Sequence, residues 1–318
     1  MAPNPSARTL SVVIPVFNSD AVLPRLIEQL EPVLAANFDA FEAILVDDGS
    51  GSNAWQVVED LAAQHEWIQG VQLMRNYGQH NALLCGVRMA QHETIVTMDD
   101  DLQHRPNEIP TLLAKLDEGF DVVYGCPIDE QHGLFRNLAS QATKLALQGA
   151  MGAETARKVS AFRAFRTQVR DAFAVYPGPF VSLDVLLTWG TSRFAAVPVP
   201  HDARIDGTSN YTIRKLITHA LNMMTGFSTV PLQIASMIGF IFTLVGALAL
   251  VYVVGRYLIE GTSVPGFPFL ASMIAIFSGA QLFALGIIGE YLARMHVRSM
   301  ERPAYAIRTQ TSPSDSRP

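Results

Sequence analysis

The chain has 318 residues, of which 49% are hydrophobic and only 16% charged, with a formal net charge of -6. So apolar a chain can bury a core, which excludes disorder as its main state; the acidic balance argues against broad electrostatic capture of nucleic acid, and no nucleic-acid partner is expected. Two cysteines, Cys85 and Cys126, are too few for a disulfide framework and point to a reducing compartment.

The opening stretch MAPNPSARTL has neither the basic cluster nor the apolar run of a secretory leader, so none is expected. Residues 10–17 (LSVVIPVF) then form a continuous apolar, β-branched run. Residues 42–46, 71–74, 94–98 and 121–124 are shorter runs of the same kind. Continuous rather than alternating apolar character predicts strands buried on both faces of a parallel sheet. Helical patterns lie between these runs. Residues 21–34 place Val22, Leu23, Leu26, Ile27, Leu30 and Leu34 on one stripe, and 54–64, 80–90 and 108–116 follow, with Pro106 near the start of the last. The alternation predicts a doubly wound, Rossmann-like α/β domain with its ligands at the carboxyl ends of the strands. Two nucleotide signatures of such domains, G-x-G-x-x-G and G-x-x-x-x-G-K-[ST], are missing, and the eight histidines show no zinc spacing. Cys85, on an apolar helix face, and Trp189 read as packing residues.

After the α/β pattern, residues 211–224 (YTIRKLITHALNMM) put Ile213, Leu216, Ile217, Ala220, Leu221 and Met224 on one face, with Arg214, Lys215 and Asn222 elsewhere. This predicts an amphipathic helix lying in a membrane interface. Residues 216–255 and 261–289 then contain no Asp, Glu, Lys or Arg. A bilayer core of about 30 Å needs about 20 apolar residues as a helix, so 234–254 and 267–288 predict two membrane spans. Gly239, Gly246, Ser278, Gly279 and Gly286 are small enough to let membrane helices approach closely and permit a homo-oligomer. Arg294, His296, Arg298, Arg302 and Arg308 follow the second run, which places that tail, and with two spans the N-terminal domain too, in the cytoplasm. Residues 309–318 are rich in Ser, Thr and Pro and read as a disordered tail. The expected organisation is a cytoplasmic domain over 1–210, an interfacial helix within 211–230, two spans within 231–293 (about 234–256 and 267–289) and a cytoplasmic tail over 294–318.

The chemistry sits at the strand ends. The second strand runs into Asp47-Asp48-Gly49-Ser50, and the fourth into Asp99-Asp100-Asp101-Leu102-Gln103. Adjacent carboxylates repel, and desolvation raises their pKa values further. A hard divalent cation removes that conflict. Asp99, Asp101 and Gln103 alternate along an extended segment, and Mg²⁺ or Mn²⁺ characteristically takes one or two carboxylates plus substrate phosphates.

Together with VVIPVFN at 12–18, VDDGS at 46–50, RNYGQHNALLCG at 75–86, MDDDLQHRPNEIP at 98–110 and GEYLARM at 289–295, this pattern resembles glycosyltransferase family 2 and its GT-A fold. Within that family it resembles the membrane-bound polyprenyl-phosphate glycosyltransferases, over nearly the whole chain. The resemblance implies an inverting, metal-dependent transfer of a sugar from a nucleotide-sugar to a polyprenyl phosphate such as undecaprenyl phosphate, at the inner cell membrane, for modification of an envelope glycan or lipid. It implies that Pro15, Phe17, Asn18 and Asp48 line the nucleoside pocket, with Asp47, Asp99, Asp100 and Arg204 also meeting the nucleotide-sugar. Asp99 and Asp101 fall at the catalytic positions, and Asp101 and Gln103 at those of a Mg²⁺ or Mn²⁺ ion. Arg136 through Ser140, and Arg163, match segments that meet the acceptor phosphate. The segment 204–211 (RIDGTSNY) departs from the family's R-x-x-G-x-S-K-Y, because Asn210 stands where a lysine is usual; Arg214 or Lys215 are candidates to replace its charge. The stretches RNYGQH and SNY lie closer to the bacterial undecaprenyl enzymes, which favours a UDP-sugar over the GDP-mannose of a dolichyl-phosphate mannose synthase. A processive polysaccharide synthase is disfavoured, since it needs more spans and a Q-x-x-R-W motif not found here.

Overall fold

In the computed structural model of the chain, residues 8–127, 159–202, 230–260 and 266–311 are described. The interfacial helix expected at 211–224, with Arg214 and Lys215, and the candidate contacts Arg136, Ser140 and Arg204 lie outside the described residues. The chain divides into two units, one made of Met1–Thr212 with Glu301–Pro318 and the other of Ile213–Met300.

Among its described residues the first unit contains an eight-stranded sheet. Its strands are β1 (Thr9–Val16), β2 (Ala40–Asp47), β3 (Ile68–Leu73), β4 (Thr94–Thr97), β5 (Val122–Pro127), β6 (Arg163–Arg166), β7 (Phe194–Val199) and β8 (Ile307–Gln310). They lie in the order β7-β5-β6-β4-β1-β2-β3-β8. β1 is parallel to β2 and β4, β2 to β3, and β5 to β7. β6 runs antiparallel between β4 and β5, and β8 antiparallel outside β3, so the sheet is mixed rather than purely parallel. The helices α1 (Leu23–Asn37), α2 (Ala54–Gln64), α3 (Gln79–Met89), α4 (Ile109–Asp117) and α5 (Leu183–Gly190) connect these strands.

The unbroken apolar run of β1 is explained by helices on both of its faces. Leu10, Val12, Ile14 and Val16 point into a core with Leu23, Leu26, Ile27 and Leu30 of α1 and Ile109, Leu112 and Leu116 of α4. Full burial of each such side chain contributes roughly 1.5–3 kcal/mol. Val13 points the opposite way, as the two-residue period of a strand requires. There it meets α3 at Gly86, where an added Cβ would lie 2.4 Å from Val13 Cγ1. The glycine is what lets the helix that follows RNYG lie flat on the sheet.

The C-terminus departs from expectation. Residues 309 and 310, expected to begin a disordered tail, instead complete β8, whose register sets Val71 opposite Gln310 and Leu73 opposite Ile307; residues 312–318 lie outside the described residues. Thr311 N–H donates to the Gly70 carbonyl at 2.9 Å, and Gly70 N–H donates to Thr311 Oγ1 at the same distance. The buried Ala304 precedes the strand, and the Tyr305 ring faces Arg88 of α3.

The second unit holds α6 (Val230–Glu260) and α7 (Phe267–Ser299). Its segments Leu232–Ile259 and Ile276–Ser299 are long and apolar enough to cross a membrane, and neither is buried within the protein. Large apolar groups such as Phe240, Leu248, Val251 and Leu282 point outward and need an apolar solvent. α7 continues through Arg294, His296 and Arg298, about three turns past the expected end of the span. The two helices touch where small meets large. A Cβ on Gly246 would stand 3.1 Å from the Phe277 ring, and Phe242 meets Phe277 edge to face at 5.7 Å. Among the described residues, nothing lies within 4 Å of a Cβ placed on Gly239, Gly279 or Gly286.

Candidate active site

The parallel part of the sheet changes direction at β1, with β2 on one side and β4 on the other. Loops leaving adjacent strands in opposite senses open a crevice at their carboxyl ends. There the protein has a cleft of about 250 Å³ lined by Pro15, Val16, Phe17, Asp48, Asn76, Gly78, Gln79, Asp99 and Asp100.

Asp48 organises one wall. Its carboxylate is 3% exposed and accepts the N–H groups of Tyr77 at 2.7 Å and Gly78 at 2.8 Å, one on each oxygen. Burial pushes its pKa above the ordinary carboxylate range, and these two bonds pull it back. The RNYG loop is thereby folded over the end of β2. The approach is tight: Gly49 has φ +67°, and a Cβ on it would come within 2.4 Å of the Arg75 carbonyl carbon. Asn18, at φ 55°, lies in the left-handed region that asparagine tolerates. Its Oδ1 accepts the N–H of Gly51 at 2.9 Å and of Ser52 at 3.3 Å, which ties the end of β1 to the same loop. It does not line the cleft.

Asp47 is not among the residues that line the cleft. Its side chain is fully buried, accepting Ser50 N–H at 3.1 Å and the Gln72 amide at 3.2 Å. It shapes the turn after β2.

The opposite wall is made by Asp99 and Asp100; Asp101 and Gln103, next along the loop, are not among the residues that line the cleft. Asp100 accepts the Phe17 N–H at 3.2 Å and the Ser19 hydroxyl, and burial raises its pKa. It closes the floor between β1 and β4. Asp99 Oδ1 accepts the Gln79 amide at 2.6 Å, so the two walls meet across the cleft. Asp101 Oδ1 accepts Gln103 N–H at 3.1 Å around a turn in which Leu102 sits at φ 59°. That conformation is strained for leucine, by about 1–3 kcal/mol, and the burial of its side chain helps to hold it. Asp99, Asp101 and Gln103 each carry a hard oxygen donor on one loop. Among the described residues no three His, Cys, Asp or Glu side chains assemble a complete cage. An all-oxygen, incomplete set suits Mg²⁺ or Mn²⁺, which take their remaining ligands from phosphate and water.

Arg163 is a buried charge. Its guanidinium is 2% exposed and paired with Asp184, which also accepts the Tyr124 hydroxyl at 3.1 Å. Asp184 is on α5, and Arg163 stands opposite Thr97 in the β4–β6 ladder, two residues before Asp99. The pair braces the floor of the site. Cys85 is buried, as its apolar setting predicted, and burial pushes its thiol to about 12. Trp189 is half exposed, with its ring edge against Tyr176.

Sequence reasoning missed Asn76, Gly78 and Gln79 as cleft residues. Only the placement of RNYGQ between a strand and a helix, beside DDGS, hinted at them. His80, next in that run, accepts Leu183 N–H on Nδ1 at 3.3 Å and joins α3 to α5.

Residues 11–175 match the profile of glycosyl transferase family 2. The chain is 33% identical over 308 residues to an undecaprenyl-phosphate 4-deoxy-4-formamido-L-arabinose transferase of Pectobacterium atrosepticum, a match spanning 96% of this chain and 94% of that one. A transferase of the same name from Klebsiella pneumoniae is 33% identical over 306 residues, covering 95% and 94%. Among solved structures, glucosyl-3-phosphoglycerate synthase of Mycobacterium tuberculosis, in complex with Mn²⁺, UDP and glucosyl-3-phosphoglycerate, superposes with a TM-score of 0.52 at 20% identity. That match covers 69% of this chain and 78% of the other, and it establishes the GT-A-like fold.

Proposed function

The chain belongs to glycosyl transferase family 2 and is a glycosyltransferase, and from that premise we propose that it moves a sugar from a UDP-sugar to a polyprenyl phosphate, undecaprenyl phosphate above all, at a membrane. The observation that carries this reading is the joint one of likeness and cleft. Relatives named for undecaprenyl-phosphate transfer match 96% of the chain, the two apolar helices included, and Asp48 from one strand end shares a crevice with Asp99 and Asp100 from another. The solved relative that holds UDP and Mn²⁺ supports the same donor class and cation.

In this reading the unit of 1–212 with 301–318 is the catalytic domain, on the cytoplasmic face of the inner membrane; the basic residues that close and follow α7 support that side. Pro15, Phe17 and the RNYG wall enclose the nucleoside. Asp99, oriented by Gln79, faces the sugar. Arg204 approaches the diphosphate, and Arg136 with Ser140 receives the acceptor. Asp101 and Gln103 would hold Mg²⁺ or Mn²⁺, whose charge would offset that of the departing diphosphate. An acceptor phosphate monoester has a second pKa of about 6 and is mostly dianionic at pH 7, so its oxygen attacks the anomeric carbon without a strong base. The protein's task is to align two anions, which is positioning work. A single in-line displacement of this kind inverts the anomeric centre.

The test is to incubate membranes carrying the chain with undecaprenyl phosphate and radiolabelled UDP- and GDP-sugars, then extract lipid. Label from a UDP-sugar in the lipid fraction is the expected result. Label from GDP-mannose alone would reassign the donor, and a soluble glycan product would reassign the acceptor. Within the same assay, Gly49→Ala forces the RNYG loop off its seat. A displacement of about 1 Å at a reacting centre costs on the order of a hundredfold, so kcat/KM for the donor should fall by about that much.

A further inference from the structure

The loop that carries Asp101 and Gln103 is fastened to the chain leaving β7. His104 and His201 pair as an antiparallel bridge, and Asp202 N–H donates to the Gln103 carbonyl at 2.9 Å. The Arg105 guanidinium grips the Asp202 carboxylate at two points, Nε to Oδ2 and Nη2 to Oδ1, both at 2.6 Å. Beneath this fork lies the buried His104 ring, stacked on Phe162 at 5.2 Å and edge-on to His201 at 4.9 Å.

Arg105 and Asp202 are each about half exposed. An exposed ion pair adds little to stability, so stability does not account for this one. What a two-point fork supplies is a fixed angle. It fixes that angle immediately after a turn whose leucine is held at positive φ, and immediately before the segment containing Arg204. A strained turn keeps its shape only if both flanks are anchored. Leu102 is anchored by burial, and the flank after Gln103 is anchored by the fork.

We propose that Arg105 and Asp202 are a positioning pair, which holds the Asp101–Gln103 turn in its cation-binding shape and ties it to the chain leaving β7. The proposal rests on Asp101 and Gln103 being the cation's ligands. Neither Arg105 nor Asp202 touches the reacting atoms; each acts through the loop.

The test uses the full-length protein in detergent and three variants: Arg105→Asp, Asp202→Arg, and the two exchanged together. Mn²⁺ binding in the presence of UDP is read from the loss of the free-Mn²⁺ electron paramagnetic resonance signal, alongside kcat, donor KM and melting temperature. Groups that orient a metal's ligands are worth about 10–100-fold in affinity. Each single reversal should therefore weaken Mn²⁺ binding by at least about tenfold and raise donor KM with it, at a melting temperature close to the parent's. The exchange should restore both to within about threefold, as a coupled pair does. Single variants that bind Mn²⁺ like the parent, or an exchange as weak as the singles, would overturn the proposal. If a reversal fails to fold, Arg105→Gln and Asp202→Asn carry the same comparison without introducing repulsion. Failure of the cation reading itself is separable: the unaltered protein would then bind UDP equally with and without Mn²⁺.

Discussion

In Asp101→Asn, sugar transfer should fall by at least about a hundredfold, and nucleotide binding should lose its dependence on Mn²⁺. The substitution keeps the shape of the side chain and leaves an oxygen that can still accept Gln103 N–H, so this bond survives. What disappears is the negative charge that a hard cation requires. Donor turnover and Mn²⁺ titration of the same preparation check the two halves together. Full activity in the variant, or in the parent with excess chelator, would remove the cation from the reaction.

The largest stability effect is expected at Asp184. Replacing it by Ala leaves Arg163 charged and buried with its ion-pair partner gone, and takes the acceptor from the Tyr124 hydroxyl. Breaking a buried pair from one side costs about 3–5 kcal/mol, whereas replacing both partners by apolar groups of similar volume is often neutral. Asp184→Ala should therefore melt far below the parent, and Arg163→Met with Asp184→Leu should recover most of the loss. Equal melting temperatures for the single and double variants would show that the pair is not the cause. Because Arg163 stands opposite Thr97 beside the triple aspartate, the single variant should lose transfer activity as it loosens.

The contrast between Asp101 and Arg163 shows what the sequence makes legible. β1, β2, β4 and β5 were readable because each contains an apolar run, and such runs need two covered faces; of β3 (IQGVQL), interrupted by Gln69, Gly70 and Gln72, only the end was. β6 (RAFR) was not, since it begins with an arginine that becomes a core residue only through a partner 21 positions away. β7 contains a proline, and β8 (IRTQ), exposed along its length, shows no apolar pattern; only the open edge of β3 makes it a strand. At the site, the carboxylates announced themselves by residue type. Asp47 looked equivalent to Asp48, yet it is the last residue of β2, and the strand's alternation sends neighbours to opposite sides. Gly78 carries no side-chain chemistry at all. Its contribution is a backbone N–H, which motif reading passes over.

The sheet's last strand also sets a clock on the molecule's making. Gly70 and Thr311 are bonded across 241 positions of chain. At about 5–20 residues per second, a ribosome that has released β3 needs roughly 12–48 s more to deliver its partner. For that interval the β3 margin is an unpaired edge, open to any stray strand in reach. Both apolar helices are made within the same interval, so the segment bound for lipid is synthesised before the catalytic sheet is complete. A chain cut at Thr212 would keep the cleft residues and never acquire the strand that covers this edge.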